Sequence, residues 1–287
     1  MGIRTDISAS SPDAAAEQTE FSHITESPSD TPCAYLVDLA KYPDAPRLLF
    51  ERDPAPVYDM PWIYTQTQEE AFGGPKLIIP QGDACADWLW SSYRAGRALA
   101  LYGNDLTLKS ISQHLVTLNK VITPFGESLF RYADSASLGT LGASLTAPQR
   151  QRILGPLNAI HGYYGDHFWV LSYITGNAGC AEPDTTEPLA LTRDNLAAAE
   201  SVRKEWLIRA FADSNDYPQP LVTKWCSQLE TLGARSEQDL MEGMQVLADA
   251  GFEQPLTDME LSTVDKSSEA WSDRLELLAQ ITPQEGA

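Results

Sequence analysis

The residue types that most often carry catalysis or bind metals are sparse and widely spaced in this chain. His161 and His167 stand six residues apart with Asp166 between them, whereas paired metal-ligating histidines usually occur as HxH or HxxxH. No cysteine lies near a histidine in the sequence, and there is no Gly-x-Ser-x-Gly elbow, GxGxxG fingerprint or Walker loop. We therefore expect a non-enzymatic protein without a cofactor or a metal ion.

One short segment combines a cation and a carboxylate at a predicted corner of the fold. Leu129 to Asp134 reads as the end of a strand that leads into a helix, with Arg131 three residues before Asp134. An aspartate there can cap the helix through its carboxylate, and Arg131 can pair with Asp134 or with another acid. We regard Arg131 and Asp134 as candidate partner-binding residues. The alternative is an ordinary strand-to-helix corner.

The apolar patterns predict strands and helices in alternation before residue 160 and helices alone after residue 190. Strands are expected at 33–38, 62–64, 76–79 and 97–102, followed by a hairpin at 121–132. Prolines bound the short segment 76–79, so it is either an edge strand or an extended loop. Helices are expected at 83–95, 107–118, 135–144, 147–154, 193–212, 218–232, 236–250 and 267–281. The fold class that follows is α+β: an N-terminal mixed α/β lobe with a small sheet, then a C-terminal all-helical lobe.

These elements divide the chain into four parts. Residues 1–31 are rich in Ser, Thr, Pro and acids, so we expect a disordered acidic tail. Residues 32–160 form the α/β domain, residues 161–190 an aromatic hinge and linker, and residues 191–287 an acidic helical lobe. A short strand is the alternative to the hinge at the start of residues 161–190.

Aromatic residues are concentrated in the predicted hinge. Tyr163, Tyr164 and Trp169 lie where the two lobes join. Large aromatic side chains often anchor protein–protein interfaces, so these three are candidates to cradle a partner. Packing in the core is the alternative for each of them.

The net charge of −20 is unevenly distributed along the chain. Residues 1–30 carry six acids and one base, residues 31–160 twelve acids and eleven bases, and residues 161–287 twenty-two acids and eight bases. Phosphate binding needs clustered Lys and Arg, which argues against a nucleic-acid partner. The acidic last part either favours solubility or holds a basic partner.

The compartment is predicted from segments that the sequence lacks and from its cysteines. No apolar run approaches the roughly 20 residues that span a bilayer, and the N-terminus has no apolar stretch of a secretory signal. Cys33, Cys85, Cys180 and Cys226 lie far apart and make no CxxC pair, which favours reduced, mostly buried thiols. We expect a cytoplasmic protein without membrane insertion.

Five short segments together resemble the type VI secretion effector-adaptor (effector chaperone) family, the domain of unknown function numbered 4123. They are Tyr35–Asp38, Met60–Ile63, His114–Leu115, Leu129–Asp134 and Gln149–Pro156, in the order of the family's motifs. The resemblance covers residues 33–160, under half of the chain. Family members often follow the motif aspartate with Pro-Arg, where this chain has Ser135-Ala136.

The resemblance implies an adaptor that binds a toxic effector before secretion. Such an adaptor helps to load the effector onto the spike protein of a bacterial contractile injection apparatus, and it has no catalytic residues. Two alternatives stay open. One is an immunity-type inhibitor whose acidic lobe blocks the basic active site of a toxin, and the other is an enzyme of unrecognised class.

Overall fold

Short apolar segments in the first half of the chain pair into one antiparallel sheet of seven strands. The computed structural model describes residues 19–25, 30–65, 72–165, 167–174, 187–265 and 270–281. The chain divides into two compact units, Met1–Glu200 (unit 1) and Ser201–Ala287 (unit 2). With sheets in unit 1 and helices in unit 2, the predicted α+β class is confirmed.

The strands belong to two sheets of unit 1. In chain order they are Thr19–Ile24 (β1), Ala34–Asp38 (β2), Val57–Asp59 (β3), Pro75–Ile79 (β4), Ala98–Tyr102 (β5), Lys120–Thr123 (β6), Gly126–Leu129 (β7), Ala159–Tyr164 (β8), His167–Tyr173 (β9) and Leu189–Ala190 (β10). The large sheet has the order β1-β9-β8-β5-β2-β4-β3, and the small one has the order β10-β6-β7. The predicted hairpin is the β6–β7 pair.

The helices occupy both faces of the large sheet and all of unit 2. In chain order they are Ala45–Arg52 (α1), Asp83–Arg94 (α2), Leu108–Val116 (α3), Ser135–Gly142 (α4), Ala147–Leu154 (α5), Arg193–Asn215 (α6), Gln219–Thr231 (α7), Glu237–Asp249 (α8), Asp258–Asp265 (α9) and Trp271–Gln280 (α10). The division between the units falls within α6.

Successive side chains of a strand point to opposite faces of the sheet. Both faces of the large sheet are buried, because helices cover each of them. On β2, Tyr35 and Val37 pack with α1 and α2, while Leu36 packs with α3, α4 and α5. Unit 1 is therefore three layers, with the sheet in the middle.

The predicted disordered tail is wrong for Thr19–Ile24, which forms β1 and pairs with β9 along its whole length. The ring of Phe21 stacks on Trp169 with centroids 5.9 Å apart and lies against Gly142. A polar segment with few apolar residues can be ordered when a strand edge satisfies its backbone groups. Residues 1–18 lie outside the described residues.

Of the two readings of the aromatic stretch that begins at residue 161, the strand is correct and the hinge is wrong, because β8 and β9 are paired strands of the large sheet. Phe168 and Trp169 are buried, and Tyr163 and Tyr164 are half-buried against the core. In the rest of the predicted linker, Leu189–Ala190 forms β10, and residues 175–186 lie outside the described residues.

Two smaller predictions also need correction. Trp62–Tyr64, predicted as a strand, belongs to a 3₁₀ helix at Pro61–Tyr64, whose first position suits the fixed φ of proline. Lys76–Ile79, for which an edge strand or an extended loop was possible, lies within β4 and pairs with β2 and β3 on its two sides.

Unit 2 is a set of helices around its own core. Trp225 and Cys226 have no exposed surface there, and Met244 and Leu247 from α8 pack with them. An acidic capping box begins α8: the Ser236 hydroxyl accepts the N–H of Asp239, whose carboxylate accepts the N–H of Ser236. Burial raises the pKa of the Cys226 thiol to about 11, so this thiol is protonated at neutral pH.

Phe21→Ala should lower the free energy of unfolding by about 1–3 kcal/mol, because removal of the half-buried ring uncovers Trp169 and Gly142. Ser22→Ala, one residue along β1, is the control. Urea unfolding of the two variants checks this, and equal stabilities would show that β1 contributes nothing through Phe21.

Candidate functional site

The carboxylate of Asp38 ends β2 inside the protein, where the residue is only 5% exposed. One oxygen accepts the N–H of Ala40 at 3.1 Å, and the other accepts a hydrogen bond from the Arg131 guanidinium at 2.6 Å. Of the two pairings that the sequence allowed for Arg131, the structure shows the one with another acid. A buried carboxylate needs such a partner to stay ionised.

Asp134 caps α4, as its position predicts. Its carboxylate accepts the N–H of Ala136 at 3.0 Å and the hydroxyl of Ser137 at 3.0 Å. The Lys41 ammonium donates to the same carboxylate at 2.6 Å. Burial opposes ionisation of Asp134, but the bonds from Lys41 and Ser137 outweigh it, so the pKa of this carboxyl lies below its ordinary value.

Asp38, Lys41, Arg131 and Asp134 together form a crossed pair of ion pairs, which we call the charge clasp. On one segment an acid precedes a base by three residues, and on the other a base precedes an acid by three. The cation side chains are each 45% exposed, while the carboxylates are 7% and 10% exposed. The clasp therefore neutralises two buried charges and presents two cations at the surface of unit 1.

A second polar contact joins a further segment of the resemblance to Leu129–Asp134. The amide of Asn119 donates to the carbonyl of Pro61 at 3.1 Å and accepts the hydroxyl of Tyr132 at 2.9 Å. Asn119 is 1% exposed, so these bonds form in the core. They tie the Met60–Ile63 segment to the Leu129–Asp134 segment.

His114 joins α3 to the C-terminal end of α5. Its Nε2 lies 2.9 Å from the carbonyl oxygen of Ile153, and its ring lies against Gly155. Gly155 has φ of 54°, and a Cβ there would collide with the imidazole, so only glycine fits. Burial lowers the pKa of His114 to about 4, which keeps the ring neutral.

Gln149 fastens α5 to the chain that leads into α6. Its side-chain oxygen accepts the N–H of Thr146 at 2.8 Å, which completes a capping box. Its amide nitrogen donates to the carbonyl of Ala190 at 2.6 Å and to the Asn195 side chain at 3.0 Å. Each segment that carries the resemblance therefore makes a buried or half-buried contact with a distant part of unit 1.

The three aromatic candidates have different surroundings. Trp169 has no exposed surface, and its indole N–H donates to the carbonyl of Ser135 at 3.1 Å. A fully buried side chain has no surface to offer a partner, so core packing describes Trp169 in this structure. Tyr163 and Tyr164 are half-buried and point to opposite faces of the sheet. Their partner-binding role stays a prediction, as does that of Arg131 and Asp134.

Ser135, the first residue of α4, attaches this helix to the large sheet. Its hydroxyl donates to the carbonyl of Tyr163 at 2.8 Å and lies 2.9 Å from the N–H of the same residue. The start of α4 is thereby attached to β8.

Lys41 and Asp38 were missed as site residues because their partners lie 93 residues away. The mirrored spacing of acid and base in the two segments is the signal that could have found them.

Within the described residues, no group of three His, Cys, Asp or Glu side chains could hold a metal ion. Cys33, Cys85 and Cys226 are free thiols, and Cys180 lies outside the described residues.

Arg131→Gln should lower the free energy of unfolding by about 1–2 kcal/mol, because it leaves the Asp38 carboxylate buried without its cation. Arg47→Gln is the matched control, since Arg47 pairs with Glu51 on the exposed surface. Urea unfolding compares the two variants. An equal loss for both would contradict a stabilising role of the clasp.

Two histidines, His114 and His161, should make the free energy of unfolding depend on pH. Their contribution should fall as the pH drops from about 6.5 towards 4 and should stay constant below that. Burial lowers the pKa of both His114 and His161 to about 4 from the ordinary 6.5. In that window the unfolded chain binds more protons than the folded one, so folding weakens as the pH falls. His161→Gln should make the dependence shallower, as measured by urea unfolding at several pH values. An unchanged slope would contradict this assignment.

No helix in the described parts of the chain is both long and apolar enough to cross a membrane. No protein-family model, curated protein or solved structure matches the chain. The resemblance to the effector-adaptor family stays a prediction from the sequence.

Proposed function

We propose that this protein is an adaptor that binds a type VI secretion effector and helps to load it onto the spike protein. The observation that carries the proposal is the charge clasp, in which two segments of the resemblance, Tyr35–Asp38 and Leu129–Asp134, meet through a half-buried ion pair. The further contacts of Asn119, His114 and Gln149 support it, because they join the remaining segments.

The arrangement suits a holding protein. The clasp neutralises its buried carboxylates and leaves two cations half exposed, where they can meet an acidic group of a partner. Unit 2 supplies a second surface with sixteen acids and seven bases, which favours basic partners.

Affinity purification of the tagged protein from its native host, followed by mass spectrometry, should recover an effector and the spike protein. Deletion of the gene in donor cells should abolish delivery of that effector. Deletion in recipient cells should leave their survival unchanged. If recipients lacking the protein were instead killed by the toxin, the immunity-type inhibitor would be the correct function.

A further inference from the structure

A cleft of about 620 Å³ opens beside the terminal strand of the large sheet. It is lined by Asp59 of β3, Tyr64 of the 3₁₀ helix, and Leu108, Lys109, Ser112, Gln113 and Val116 of α3. Its volume lies in the range of sites that bind small molecules or side chains, and most of its lining is apolar. The residues of the charge clasp do not line it.

The Ser112 hydroxyl lies at the wall of this cleft. Ser112 as a residue is only 3% exposed, but its hydroxyl oxygen is not fully buried and stays accessible from the cleft. A bound molecule that enters the cleft with a donor or an acceptor can hydrogen-bond to this hydroxyl.

The strand beside the cleft has an open edge. β3 pairs with β4 on one side, and no strand in the described part of the chain pairs with its other side. Unpaired backbone groups on an edge strand are a template for an added strand. Pro56 and Pro61 flank β3 and limit the template to about three residues, which disfavours unspecific pairing.

Lys109 allows the cleft to pair with an acidic group on the bound molecule. The cleft carries one acid and one base, Asp59 and Lys109, on opposite walls. The Asp59 carboxylate already accepts the N–H of Met60 at 2.8 Å and the hydroxyl of Tyr64 at 3.0 Å. Lys109 is exposed and makes no ion pair with any described residue, so it is the charged group that is left to bind a partner.

We propose that this cleft binds an extended segment of the effector, which adds to the open edge of β3. An apolar side chain of that segment fills the space between β3 and α3, and an acidic side chain or a terminal carboxylate pairs with Lys109. Addition of a peptide strand next to a groove with side-chain pockets is an established mode of recognition. The assignment rests on the proposed function, because the effector is the partner named there.

Photo-cross-linking in the native host tests this directly. Benzoylphenylalanine replaces Gln113, which is exposed at the cleft, and in a control variant it replaces Arg94, which is exposed on α2 across the sheet. The effector should be cross-linked from position 113 and not from position 94. Mass spectrometry should map the link to a segment that carries an apolar residue close to a carboxylate.

Reversing the charge of Lys109 is a second test of the cleft. Lys109→Glu should reduce the recovery of the effector about tenfold or more, while Lys224→Glu, an exposed reversal in unit 2, should leave it unchanged. If the effector is recovered with the parent protein but neither cross-links at position 113 nor responds to Lys109→Glu, the cleft assignment is overturned and the adaptor function stands. A cross-link to the spike protein also overturns it. If no effector is recovered at all, both proposals fail.

Discussion

Two carboxylates inside unit 1 impose the constraint on which the rest of the candidate site depends. Asp38 and Asp134 are buried, and ionised groups at such positions need a cation and hydrogen-bond donors close by. Each receives its cation from the segment that holds the other. The end of β2 must therefore meet the corner before α4, although the two are far apart in sequence.

This meeting determines the position of the elements around it. Asp134 fixes where α4 begins, and Ser135, the next residue, binds the backbone of β8 and the indole of Trp169. Trp169 in turn supports Phe21 and thus the edge strand β1. A chain of contacts runs from the clasp across the large sheet, so a change at Arg131 is expected to act beyond its own ion pair.

Local patterns were enough to predict most helices, because their caps and apolar spacing lie within a few residues. Thr146, Ser236 and Asp134 cap helices where the sequence places them. The misreadings have long-range causes: β1 has too few apolar residues to be recognised alone, and it is ordered by the edge of β9.

The candidate site was predictable only in part for the same reason. Arg131 and Asp134 stood out as a pair, but the structure joins each to a residue of another segment. The cleft beside β3 could not be predicted, because it depends on the approach of α3 to a strand that the sequence pattern did not reveal. The contacts of the clasp and of Asn119, His114 and Gln149 hold unit 1 together, and we propose that the surface beside them binds the partner.

Amide hydrogen exchange of the protein with and without its purified effector tests this account most directly. The account predicts that the effector slows exchange in Val57–Asp59, where an added strand would pair with the open edge of β3. Slowed exchange confined to the helices of unit 2, with no change in β3, would contradict it.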